Sequence, residues 1–356
     1  MQNETIHTEF SSQTEASLES LPPRMAAAYD DKRFPTKWQA MIGAASMQIL
    51  GVIASMLLGM LLLIGAFRTQ FGYTMFNYVC SQLIMVVSIP LFMLMVCRKD
   101  LRTTVRLKKG IDAVQIGLLL LVSMGAFFLC QHLNGIFVQI LSIFMGEPAD
   151  LGMSEGATDL TQLLFQIVIV AGLPAICEEL FFRGFVLRAF ERISVIAAVV
   201  LSSVVFAVMH GNLQQLVYAF LIGILLGTVV TVSDSLLAGA VIHFFMNLFS
   251  VGISYGPVYS QYLAFVEENP LAYMMVVFFI SPALLAIGLM LFIKYTRHKN
   301  MHNYQAYFVS DLKYPRLMPK QKSGGTALYV IGWIVFVFLN VVNMVVIWFG
   351  DALLRV

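Results

Sequence analysis

Residues 177–183 read Cys177-Glu178-Glu179-Leu180-Phe181-Phe182-Arg183, at the end of an apolar run that begins at Leu160. Two adjacent acids and an arginine within two helical turns are costly at bilayer depth, at least a few kcal/mol per charge. A stretch that keeps them there is a candidate functional centre. On a helix, residues four apart share a face. Glu179 and Arg183 are therefore expected to pair, acid first, and to neutralise each other. Glu178 points about 100° away and keeps a free carboxylate with no basic partner, suited to general-base work. Just upstream, Gly172 and Pro174 predict a kinked span that opens room for water or a substrate strand.

Two further patterns follow in the next apolar runs. Phe206 and His210 are one turn apart, and Gly211-Asn212 then breaks the helix. His243 and Asn247 are again four apart and face one way. A carboxylate, two imidazoles, an amide and an arginine are the parts needed to activate a water, return its proton and hold an oxyanion. Span limits alone put His210 towards the opposite half of the membrane from Glu178 and His243. Convergence of Glu178, His210, His243 and Asn247 in one polar cavity requires a fifth span that is short, starts late or is tilted, with Gly211-Asn212 breaking it at mid-depth. His132 reads as a helix–helix hydrogen-bonding group, and Gly223-x-x-x-Gly227 as a close-packing face.

The chain has 356 residues, of which 59% are hydrophobic and 12% charged. Soluble domains carry about a quarter charged residues, so the expected class is all-α, a polytopic transmembrane helical bundle. About nine spans of roughly 20 residues are legible, near 39–67, 73–96, 111–145, 160–182, 193–210, 213–232, 236–251, 271–293 and 326–349. The third is long and carries Gln131-His132-Leu133-Asn134-Gly135, which predicts a kink or an interfacial turn. Basic residues crowd the loops at 98–109, 183–192 and 294–325, while 146–159 and 252–270 carry none. The positive-inside rule makes the basic loops and the N-terminus cytoplasmic. Four units result: a flexible cytoplasmic tail (1–37), N-terminal transmembrane helices (38–145), a central four-helix catalytic core (160–252), and C-terminal helices with a basic loop (253–356). Cys80, Cys97, Cys130 and Cys177 lack metal-finger or redox spacing and read as apolar packing. The basic loops are explained by topology and anionic lipid, so no nucleic-acid partner is expected.

Glu178-Glu179-x-x-x-Arg183, Phe206-x-x-x-His210 and His243-x-x-x-Asn247, in this order, resemble the three signature motifs of the CPBP family. These are the CAAX protease and bacteriocin-processing proteins, also called Rce1-like or Abi. The resemblance covers about residues 160 to 252. It implies an intramembrane endopeptidase in which Glu178 and His210 activate water, His243 and Asn247 line the oxyanion side, and Glu179 and Arg183, with Phe206, support Glu178. It also implies peptide or membrane-protein substrates, lipidated ones among them, and a multi-pass protein of a bacterial cell membrane in contact with its lipids. No cofactor is the favoured reading. Zinc is the alternative, with Glu178, His210 and His243 as the ligand types of a catalytic site. Two other functions compete: a non-catalytic immunity or scaffold protein that keeps the motifs, and a proton-linked transporter.

Overall fold

Backbone polar groups in lipid must be satisfied within their own segment, so long apolar runs become helices. The computed structural model of the chain describes residues 35–63, 70–96, 101–148, 156–191, 193–299 and 325–353. Its helices are α1 (Lys37–Leu63), α2 (Gln70–Val96), α3 (Ala113–Met145), α4 (Leu160–Phe190), α5 (Val195–Met209), α6 (Leu216–Ser233), α7 (Leu236–Ser254), α8 (Gly256–Glu268), α9 (Pro270–Lys299) and α10 (Thr326–Leu353). The described residues contain no strand. Seven of these helices are long and apolar enough to cross a membrane: α1, α3, α4, α6, α7, α9 and α10. The chain is a multi-pass, all-α membrane bundle. α5 is shorter, at 15 residues, about 22 Å at 1.5 Å per residue. The tail at 1–34, Cys97 and most of the basic loop before α10 lie outside the described residues.

Helices α4 to α7 form the centre. The glycine pair read as a packing face serves that purpose. A Cβ on Gly223 would lie 2.9 Å from Ser203 Cβ, and one on Gly227 would lie 3.2 Å from Val199 Cγ1. Their absence lets α6 lie close against α5. α10 packs along α1, where Gln48 donates to Asn340 at 2.8 Å. α3 packs along α9 through Gly125 and Gly288, whose missing side chains leave room for Leu285 and Val122.

Three expectations need correction. The third run is one continuous 33-residue helix, with no separate interfacial turn at its polar interruption. The polar group is used sideways instead: Asn134 donates to Gln214 O at 2.7 Å and accepts from Tyr218 N–H at 3.0 Å, capping the start of α6. The basic segment 183–192 is not a loop. α4 continues to Phe190, so Arg183 and Arg188 lie on the helix, and Arg183 is buried. The non-basic segment after α7 is also ordered, as α8.

The loop at 98–109 does more than mark topology. Arg106 is 2% exposed and adopts a left-handed backbone, φ 59°. It pairs with Glu191 and with Asp234 at 3.1 Å, and its carbonyl accepts from Leu236 N–H. Arg188 also holds Glu191, at 2.8 Å. One arginine thus ties together the ends of α4, α6 and α7. Burial opposes ionisation of Glu191, but Arg106 and Arg188 outweigh it and hold its carboxyl below the ordinary value of 4.5. The lowered folded value fixes the sign of the linkage: the stabilisation is whole above pH 4.5 and is lost as pH falls through the folded value. Unfolding followed in detergent should show stability declining below that pH in the wild type. Glu191→Gln should be less stable at pH 7 and should lack that acid limb.

Candidate active site

α4 is a helix with two wide turns. Residues Ile167–Gly172 and Phe182–Val186 are π-helical, with Leu173 N–H reaching Val168 O and Leu187 N–H reaching Phe182 O. Such insertions cluster at functional sites because they re-aim side chains. Here they bracket the α-helical piece Leu173–Phe181, which carries Cys177, Glu178 and Glu179. Pro174 has no N–H to offer the carbonyl four residues back, Val170. That carbonyl instead accepts from Asn247 Nδ2 at 3.2 Å. Asn247 therefore seals α7 onto the backbone that Pro174 disrupts, and one amide hydrogen is left over.

Glu179 is fully buried and is the hub. Its Oε1 accepts from Arg183 Nη1 at 2.8 Å and from His243 Nδ1 at 3.0 Å. The pairing of Glu179 with Arg183 is as the spacing predicts. Arg183 also donates to Gly223 O at 3.4 Å, and its guanidinium lies 4.4 Å above the Phe206 ring. A buried cation over an aromatic face is a further stabilising contact. Phe206 thus belongs to the site through its ring.

With Nδ1–H given to Glu179, the Nε2 of His243 faces Glu178 Oε2 at 3.7 Å. Glu178 is partly open, with 13% of its side chain exposed. The expectation of a carboxylate without partners is corrected. Besides facing His243, its Oε1 accepts from Gln82 Nε2 on α2 at 2.9 Å. The i,i+4 rule looks only along α4, so a donor from another helix escapes it.

His210 ends α5 and is exposed. Its Nδ1–H donates to Phe206 O at 2.8 Å, which leaves Nε2 as the open base. Its ring stands edge-on to Phe206 at 4.8 Å, and His243 stands edge-on to Phe206 at 5.8 Å. The two imidazoles therefore flank one phenyl ring. The break expected after His210 is present: Gly211 has φ +59°, and Asn212 caps the following turn at Gln214 N. Asn343 of α10 donates to Gly211 O at 3.3 Å. Among the described residues, no three His, Cys, Asp or Glu side chains are grouped to hold a metal ion.

Glu178, Glu179, Arg183, Phe206 and His243 thus form one cluster among apolar helices. Residues 160–249 match the family described as type II CAAX prenyl endopeptidase Rce1-like. That segment is similar to the Rce1-like family of CAAX-type endopeptidases. It begins at the first residue of α4 and ends two residues past Asn247. No curated protein and no solved structure gives a match.

Gln82, Gly239 and Asn343 have no signal in the three motifs. Gly239 lies one turn before His243. A Cβ there would lie 2.5 Å from Glu179 Oε2 and 2.6 Å from Val230 Cγ2. Gly239→Ala should push Glu179 off its partners and destabilise the protein by about 1–3 kcal/mol. Gly252→Ala, on the same helix with nothing within 4 Å of the new methyl, should be neutral or stabilising by up to about 1 kcal/mol. Thermal unfolding of the two variants in detergent checks the contrast.

Proposed function

We propose that the chain is an intramembrane endopeptidase that hydrolyses a peptide bond with a water activated by Glu178. The observation that carries this reading is Glu178 itself. It is the partly open acid of a cluster whose other acid is buried and neutralised by Arg183. Glu178 takes a proton from water as the hydroxide adds to the substrate carbonyl carbon. The resulting oxyanion is held by His243 and by the second amide hydrogen of Asn247. Glu178 then returns the proton to the leaving amine, the C–N bond breaks, and acid and amine products result. Glu179 orients His243 by holding Nδ1–H. When His243 carries a second proton, its Nε2–H is a donor stabilised by the carboxylate behind it. The open Nε2 of His210 serves as a second acceptor for the water.

No metal takes part in this scheme. The substrate is a peptide or a membrane-protein segment, which the bilayer delivers along the apolar outer faces of the helices. Prenylated C termini are the first class to test, since the matching family is described as a prenyl endopeptidase. The protein sits in a bacterial cell membrane with its N-terminus in the cytoplasm, as its basic loops direct.

The test compares peptides released from membranes of cells carrying the wild type and Glu178→Gln. Products present in the first should fall at least about a hundredfold in the second. If Glu178→Gln keeps the full biological effect, the protein acts as an immunity or scaffold factor instead. Flux across vesicles that depends on pH and on Glu178 would indicate the transporter reading. Purified protein treated with a chelator and checked for bound metal should keep its activity. Loss of activity that zinc restores would overturn the metal-free scheme.

A further inference from the structure

Glu178 is gripped from outside the matched segment. Gln82 lies midway along α2, a helix that packs directly on the Leu173–Phe181 piece of α4. Gln82 is 4% exposed. Its Nε2 donates to Glu178 Oε1 at 2.9 Å, and its Oε1 is buried without a hydrogen-bond partner among the described residues. A buried acceptor left unpaired is a cost that native structures rarely carry without a reason. Here the unpaired oxygen belongs to the same amide that holds the partly open acid. Tyr78, one turn earlier on α2, lies within electrostatic range of that acid.

We propose that Gln82 is a positioning residue of the hydrolytic site: its amide N–H fixes the Glu178 carboxylate with Oε2 towards His243, and its unpaired carbonyl receives a hydrogen from the attacking water. The inference rests on the hydrolytic reading above. The terminal torsion of a glutamate is broad, so an unheld carboxylate samples many planes. A donor fixed on Oε1 selects one plane and leaves Oε2 for the chemistry. An amide carries both a donor and an acceptor, so one side chain can hold the carboxylate by its N–H and offer its oxygen to the water. Methionine, of similar length, offers neither function. Histidine offers both.

The experiment uses the full chain in liposomes, with a farnesylated peptide ending in Cys-aliphatic-aliphatic-X as the probe. The infrared carboxylate band of Glu178 is assigned by its loss in Glu178→Gln. Gln82→Met should shift that band and lower kcat about tenfold to a hundredfold, with KM and the thermal midpoint little changed. In the Glu178→Gln background the same change should cost nothing further, because the two residues act as a unit. Gln82→His should recover part of the rate. An unmoved band, or an equal loss of rate in the Glu178→Gln background, overturns the proposal for Gln82 while leaving hydrolysis by Glu178 standing. Equal handling of the peptide by wild type and Glu178→Gln overturns the hydrolytic reading and this proposal with it, even where the band moves.

Discussion

The ion pair between Glu179 and Arg183 is the constraint on which the rest depends. Both side chains are essentially sealed, at 0% and 1% exposure. An isolated charge at that depth would cost several kcal/mol, so each must satisfy the other and then find further partners. Glu179 finds His243, while Arg183 finds the Gly223 carbonyl and the Phe206 face. Those three contacts reach α7, α6 and α5. A pair formed within one helix thereby sets where three other helices stand. Gly239 is part of the same requirement, because any side chain there would fill the space that Glu179 occupies.

The pair also fixes what the second acid can be. Once Arg183 is committed to Glu179, no arginine or lysine is hydrogen-bonded to Glu178 among the described residues. Its partners are an amide and an imidazole, both of which tolerate a change in its proton count. The two wide turns in α4 serve this division of labour. They flank the acids, and each shifts the register of the helix beyond it. The first turn also meets Pro174, and the carbonyl that proline cannot satisfy is taken by Asn247. A helix fault thus becomes the attachment point for a residue of the site.

Much of this was legible in the sequence, and the limits have physical causes. The helical class follows from apolar runs that lipid permits in few other forms. The Glu179–Arg183 pair follows from spacing on one helix, as does the short α5 from Gly211-Asn212. What spacing cannot reveal is contact between helices distant in sequence. Gln82 lies 96 positions before Glu178, in a run whose polar residue looks incidental. Asn134 reads as an interruption of its own helix, yet it caps another. Arg106 reads as a topology signal, since nothing local distinguishes a basic residue on lipid from one locked between Glu191 and Asp234. The end of α4 was misplaced for a related reason. The run 183–192 reads as a basic loop, whereas here the helix continues through it, with Arg183 buried and Arg188 tied to Glu191 and the Thr104 carbonyl.

The charge balance of the cluster has a consequence for proton movement. Glu179 and Arg183 cancel. With Nδ1–H held by Glu179, a single further proton can reside on His243 Nε2 or on Glu178 Oε2, 3.7 Å apart. In the first state an imidazolium faces a carboxylate, and in the second a neutral imidazole faces a carboxylic acid. Both states sum to zero. Moving the proton between them therefore creates no net charge in a medium that would penalise one heavily. Gln82 can serve either state as a donor, because Glu178 Oε1 accepts its N–H both in the carboxylate and as the carbonyl of the acid. A site with either acid replaced by a neutral residue would lose that balance, so two adjacent glutamates, only one of them paired with arginine, are the smallest arrangement that keeps it.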